Sequence, residues 1–284
     1  MDDGIIFGQR GQGLLTSGRG SIFGQRGALD PIVQAYDDIL ATDPTVPVLL
    51  QLREYRGRQI LFQDPACTIP VTDPGDPIGG VRHPITGEII AVQETDANRP
   101  VWGGVSAGIY IPPNDEAHLA WFPDQVGRTD WHLMTVSKTD GSTSGGRADI
   151  AAHYSGGASH SFWLRDEGEQ LRGQLQLESS RRNLNAGAVE QPPEPMFSRM
   201  SWDGDIYTVE KDGQISTTDS YSGPIGDSTN DGDEPAIGNL NSGSPSSGAD
   251  TGTYIHAVVT FNRDLTEEIE DVRDAMISIR EAAQ

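Results

Sequence analysis

The densest run of oxygen-bearing side chains is Asp227-Ser228-Thr229-Asn230-Asp231-Gly232-Asp233. Calcium takes several oxygen ligands from a sharply turning loop, and Asp227, Thr229, Asp231 and Asp233 supply such a start. Gly238 stands where an EF-hand needs its bidentate glutamate, so this is no EF-hand, and an ordinary solvated loop is the alternative. Three carboxylates along one face of a strand could flank a glycosidic bond as acid and nucleophile. Glu94-Thr95-Asp96 begins a Glu-x-Asp-x-x-Glu string, but Arg99 fills its last place. No Gly-x-Ser-x-Gly elbow, P-loop or His-Glu-x-x-His occurs, and the six histidines follow no metal-ligand spacing. Trp102, Trp121 and Tyr221 sit near turns, where a ring can stack on the apolar face of a sugar; packing in the core is the alternative for each. The residues suit binding better than catalysis, and the chain is not expected to be an enzyme.

Charge narrows the partners. Aspartate and glutamate number 42 against 20 lysines and arginines, a net charge of -22. Such a field repels nucleic-acid phosphates and anionic membrane surfaces. Nothing in the sequence approaches a membrane-spanning run, and the acidic start Met1-Asp2-Asp3-Gly4 lacks the basic region of a secretion signal. The single cysteine, Cys67, excludes an internal disulfide framework, so folding in a reduced cytoplasm is expected. The 34 glycines and 18 prolines favour turns and short strands over long helices.

The elements that would position these groups divide the chain in three. Residues 1–29 carry a perfect duplication: Ile6-Phe7-Gly8-Gln9-Arg10-Gly11 recurs as Ile22-Phe23-Gly24-Gln25-Arg26-Gly27. Two copies are too few for a solenoid. They read as an extended arm whose Ile6-Phe7 and Ile22-Phe23 knobs, with Arg10 and Arg26, anchor to a neighbouring subunit, since tethered duplicates raise effective concentration. Residues 30–47 read as a short helix, with Asp30 capping and Pro31 in the first turn, followed by a linker. Residues 48–284 read as successive short strands with turns at Asp203-Gly204 and Lys211-Asp212-Gly213, closing with the apolar run Tyr254–Phe261. Asp264 and Glu267 then form a capping-box arrangement for a terminal helix with Leu265, Ile269, Val272, Met276 and Ile279 on one side. The fold class is all-β: an antiparallel sandwich with an extended N-terminal arm and a short C-terminal helix.

Three phrases stand in fixed order: Leu61-Phe62-Gln63-Asp64, Thr68-Ile69-Pro70-Val71-Thr72 and Gly75-Asp76-Pro77-Ile78-Gly79. Arg99-Pro100 follows, and Phe261-Asn262-Arg263-Asp264-Leu265-Thr266 ends the last strand. Together they resemble the concanavalin A-like (laminin G-like) jelly-roll domains of phage and prophage structural proteins, over residues 48–284. One departure is Arg82-His83-Pro84-Ile85-Thr86-Gly87, where that family carries an acidic and amide-rich loop. The resemblance implies a lectin-like jelly roll. It also implies a bacteriophage virion protein, a tail-fibre, spike or head-decoration component, folded in the host cytoplasm and located in the virion. A homo-oligomer is expected, with other virion subunits as partners through the arm and a host surface glycan as candidate ligand. A free carbohydrate-binding or carbohydrate-cleaving protein on the same fold is the alternative.

Overall fold

The computed structural model describes residues 31–113, 117–121, 127–140, 147–155, 159–167, 170–177, 180–188, 194–218, 223–226, 235–238 and 252–284. Two antiparallel sheets face each other. The first has eight strands, in the order Gln214–Thr218, Tyr207–Lys211, Met196–Trp202, Trp131–Thr139, Thr253–Phe261, Ile109–Ile111 and Val101–Trp102, with Val48–Leu50 also paired to Thr253–Phe261. The second has nine: Ser180–Ala188, Gln170–Leu177, Ser159–Glu167, Arg147–Ser155, Ala236–Gly238, His118–Trp121, Ile89–Val92, Gly80–Arg82 and Leu61–Phe62. A small hairpin, Glu54–Tyr55 with Arg58–Gln59, stands apart.

Alternation along the strands builds the core between the sheets. The Trp131 ring of the first sheet meets Phe162 of the second at 5.0 Å between centroids. Gly173 marks where the sheets approach too closely for a side chain: a Cβ there would lie 2.6 Å from the Tyr207 hydroxyl. The described residues form an antiparallel β-sandwich.

Helix α1 (Pro31–Thr42) and helix α2 (Ile269–Ala282) add a third layer, with α2 on the outer face of the eight-stranded sheet and α1 against α2. Val272, Ala275, Met276 and Ile279 of α2 and Ile32, Tyr36, Ile39 and Leu40 of α1 join the same core as the strands. The expected helix starting at Asp264 needs correction, because α2 begins at Ile269. Asp264 instead accepts bonds from the Thr266 N–H and hydroxyl, both two residues on, closing a local turn that buries Leu265.

The strand Thr253–Phe261 holds the layers together. Its register against Trp131–Thr139 passes from Val136↔Ala257 to Ser137↔Ile255, so His256 is an extra, bulged residue. The His256 carbonyl accepts from the Tyr36 hydroxyl at 3.0 Å and from the Gln51 N–H at 3.1 Å. His256 Nδ1 lies 2.6 Å from Gln51 Oε1, and the Gln51 carbonyl accepts from Trp102 Nε1 at 2.8 Å.

A second tie is ionic. Glu210 is fully buried, 3.0 Å from Arg199 on the neighbouring strand and 2.8 Å from Arg273 of α2. Asp212 accepts from Arg280 of α2 at 2.8 Å and from the Phe197 N–H at 2.9 Å.

The recurring aspartates of the 61–79 segment fasten its loops. Asp64 accepts from the N–H groups of Thr68 and Ile69 and from the Thr68 hydroxyl; Asp76 accepts from the N–H groups of Thr72 and Asp73. For Asp64 burial is the largest single influence and pushes upward, but its bonds together outweigh it. For Asp76 the Asp73 and Thr72 bonds lead, so both carboxyls stand below the usual range. In the departing loop, His83 Nδ1 accepts from the Ile85 and Thr86 N–H groups while Nε2 bonds the Val46 carbonyl at 2.8 Å. The His83 ring is the fastening of this loop. Cys67 is buried, which pushes its thiol up to about 11.

Glu210→Ala strands two arginines without their shared counter-charge, so it should destabilise the protein by about 3–5 kcal/mol in denaturant unfolding. Acid should act earlier than carboxylate titration. Burial, with repulsion from Arg199 for His132 and Lys138 for His256, lowers both imidazoles from 6.5 to about 4. The unfolded chain therefore binds more protons than the folded one between those values. Stability should be full above about 6.5 and fall as pH drops toward about 4. His132→Asn should flatten that limb in a thermal-denaturation series.

Candidate functional site

The strands Arg147–Ser155, Ser159–Glu167, Gln170–Leu177 and Ser180–Ala188 form one end of the nine-stranded sheet. Phe162, Leu164, Gly173 and Leu175 point into the sandwich, so their immediate neighbours in sequence line the opposite, outer face. Register then sets two rows across that face. One runs Ala152, Trp163, Gln174, Asn183; the other runs Arg165, Arg172, Asn185. Gln176 and Arg181 are paired beyond them. Trp163 and Ala152 form a small apolar cluster separate from the main core, as their outward direction requires.

The face has a floor and a rim. Trp163, Arg165 and Gln174 are 7 %, 6 % and 4 % exposed, while Arg172 and Gln176 are half-buried and Arg181, Asn183 and Asn185 are exposed. The Arg165 guanidinium sits 4.0 Å from the Trp163 ring centroid, a cation–π stack that fixes both planes. Gln174 Nε2 is buried with no hydrogen-bond partner. An amide left so costs about 1–3 kcal/mol, an expense that a ligand oxygen would offset.

Neighbouring rows lie about 7 Å apart along the strands and neighbouring columns about 4.8 Å apart. Amides and guanidinium groups offer paired donors and acceptors for adjacent hydroxyls, while the nearly buried indole, stacked by Arg165, forms the floor that holds them. Among the described side chains of these rows there is no carboxylate to serve as general acid or base.

The residues expected from sequence lie elsewhere. Trp102 and Trp121 are 5 % and 2 % exposed within the main core, Trp102 bonded to the Gln51 carbonyl and Trp121 Nε1 to the Thr260 hydroxyl at 2.9 Å. This corrects their reading as sugar-stacking rings, since neither has a free face. Tyr221, the calcium-loop residues Asp227, Thr229, Asp231 and Asp233, and the arm residues Ile6, Phe7, Arg10, Ile22, Phe23 and Arg26 lie outside the described residues. Among the described residues no group of three or more His, Cys, Asp or Glu is placed to hold a metal.

Sequence reasoning missed Trp163, Arg165, Arg172, Gln174, Gln176, Asn183 and Asn185. Their signal is composition: in Gln170–Leu177 the apolar positions alternate with Gln, Arg, Gln and Gln, and Asn183 and Asn185 repeat it. A merely solvated face would more usually carry Lys and Glu.

No protein-family model matches the chain, and no curated protein sequence matches it. Among solved structures it is similar to the CBM40 of the Ruminococcus gnavus IT-sialidase, at 13 % identity and TM-score 0.41, covering 53 % of this chain and 84 % of that one. It is also similar to a botulinum neurotoxin type C structure whose cell entry is described as depending on two ganglioside molecules. That likeness has 11 % identity and TM-score 0.43, with 68 % of this chain and 51 % of that chain covered. A third is the binding domain of Paraclostridial Mosquitocidal Protein 1, at 8 % identity and TM-score 0.44, covering 61 % and 43 %. The chain thus spans about half or less of the last two. Likeness of this degree concerns the fold and identifies no shared ligand.

Replacing Gln174 with Met keeps its volume and removes the unpaired amide. Stability should rise by about 1 kcal/mol in denaturant unfolding, as expected where a polar group is retained for binding at a cost to the fold.

Proposed function

We propose that this protein binds carbohydrate on the outer face of its nine-stranded sheet and serves as a surface component of a bacteriophage virion, in a tail fibre, spike or head decoration. The glycan reading rests on the pair of rows Ala152-Trp163-Gln174-Asn183 and Arg165-Arg172-Asn185. They put an indole, amides and guanidinium groups together on rigid strands, with an unpaired buried amide at the centre. The virion reading is supported by the phrases of residues 61–79 and 261–266. It is also supported by the duplicated Ile-Phe-Gly-Gln-Arg-Gly segment, in which each Ile-Phe knob can bury enough surface for about 1.5–3 kcal/mol per side chain. Binding without cleavage is supported by the sequence, where Arg99 fills the last place of the Glu-x-Asp-x-x-Glu string begun by Glu94 and Asp96.

An array of host surface polysaccharides and oligosaccharides tests the glycan reading. Trp163→Ala should weaken the best ligand at least about tenfold, equivalent to ~1.4 kcal/mol, with the far-UV spectrum unchanged. Retained affinity in Trp163→Ala would move binding off this face, and new reducing ends would make the protein a cleaving enzyme. Mass spectrometry of purified particles tests the virion reading. Deleting residues 1–29 should leave the sandwich folded but absent from particles, and replacing Phe7 and Phe23 together should impair incorporation more than either alone.

A further inference from the structure

The outer face of the eight-stranded sheet is covered unevenly. Helix α2 lies over Trp131–Thr139, Met196–Trp202 and Thr253–Phe261. At the end of the sheet formed by Val101–Trp102 and Ile109–Ile111, register lines up one row across four strands. The row runs Val101, Tyr110, Tyr254, Lys138, with Pro77 bridged to Val101 beyond it. Ile109 and Ile111, on either side of Tyr110, are buried in the core, and a Cβ on Gly238 of the opposite sheet would lie 2.5 Å from Ile111. Alternation therefore turns Tyr110, and the row with it, outward.

Every member of this row is half-buried, whereas Tyr36, Tyr55 and Tyr207 are buried. The Tyr110 and Tyr254 rings lie 4.7 Å apart between centroids, tilted by 37°. Tyr110 is fixed from two sides. Its hydroxyl donates to the exposed Asp140 at 3.1 Å, and its ring lies so close over Gly252 that a Cβ there would fall 2.6 Å from it. Burial first, then the Asp140 bond, pushes that hydroxyl up to about 12, so it stays a donor at neutral pH.

Lys138 stands two residues before Asp140 on the same side of the chain, about 7 Å away. It is one of only two lysines, and the other, Lys211, is paired with Asp212 at 3.4 Å. Lys138 and Asp140 thus set one charge of each sign beside two aromatic rings. This suits an uncharged ligand rich in hydroxyls: the rings take its C–H groups, the carboxylate accepts and the ammonium donates. An acidic polymer would meet Asp140 and a net charge of -22.

We propose that Tyr110 and Tyr254, with Lys138 and Asp140, form a second sugar site, one that takes uncharged glycan units. The sugar lays its C–H face on the Tyr254 ring against Tyr110. Asp140 accepts from one hydroxyl and Lys138 donates to another. This site shares no residue with the Trp163 rows and stands on the opposite outer face of the sandwich, so one chain can hold two glycan strands.

A glycan array read with the full chain, Trp163→Ala, Tyr254→Thr, Tyr254→Phe and Asp140→Asn tests the site, with near-UV circular dichroism checking each fold. Tyr254→Thr keeps a strand-forming residue and should weaken a set of neutral glycans at least about tenfold. Tyr254→Phe keeps the ring and should hold the same set within about threefold. Asp140→Asn, at an exposed position, should weaken that set at least about fivefold, and it decides the matter should Tyr254→Thr unfold. Trp163→Ala should leave the set in place. An array on which no glycan depends on Tyr254 or Asp140, a dependent set made up of acidic glycans, or a Phe variant as weak as the Thr one would each overturn the proposal, whatever Trp163→Ala does to binding on the other face.

Discussion

The His256 carbonyl is turned out of the ladder by a bulge, and helix α1 and the segment after Val48–Leu50 are both fastened to it. Without the extra residue this carbonyl would face Trp131–Thr139, leaving the Tyr36 hydroxyl and the Gln51 N–H buried without that acceptor. With it, α1 reaches the central strand directly, the segment after Val48–Leu50 is pinned alongside, and Gln51 in turn holds the indole of Trp102. A bulge also splits one edge of the strand into two docking segments: Ile109–Ile111 pairs with residues 253–255 and Val48–Leu50 with residues 257–259. One inserted residue thus lets two short strands from distant parts of the chain share one long one. Burial of the ring follows, and a neutral imidazole is the form this node requires.

The acidic chain places its few cations at junctions. Arg199, Arg273, Arg280 and Lys211 gather where α2 meets the eight-stranded sheet, around Glu210 and Asp212. There burial removes the screening that weakens surface ion pairs. The Glu210 hydrogen bond holds the Arg273 guanidinium firmly protonated, while burial works against Arg199, so the centre stands only as a set of three. Elsewhere unbalanced carboxylates cover the surface. The cleft between α1 and α2, about 640 Å³ and lined by Asp38, Asp271 and Asp274 with Glu268, which Arg263 pairs, is an instance. Helix packing there rests on the buried apolar stripes, with Arg263 between Asp43 and Glu268 at the helix ends.

Much of the architecture was legible because it is local. Alternation, the Asp203-Gly204 and Asp212-Gly213 turns and the apolar run ending at Phe261 each need only a few consecutive residues to be read, and the strands form there. What failed depends on distant partners. The partners of Trp102 and Trp121 lie 51 and 139 residues away in sequence, so nothing near either residue announces that a buried acceptor awaits its indole N–H. The terminal helix was misplaced for the opposite reason. The Asp264 side chain finds a turn partner within two residues and spends its capping capacity there, before the helix begins.

The outer-face rows were illegible in a third way, which bears on how such a surface works. Trp163, Gln174 and Asn183 are unremarkable singly and become a site only when three strands are registered, which single-strand alternation cannot supply. Register here is enforced from the other side of the sheet. Phe162, Leu164, Gly173 and Leu175 must face the core, and Gly173 leaves no room for a one-residue slip that would drive a side chain into Tyr207. The apolar face therefore fixes, to within a fraction of a residue spacing, where each amide and guanidinium stands on the polar one. Groups held this way lose little further freedom when they meet a ligand, so weak individual contacts can add up to recognition.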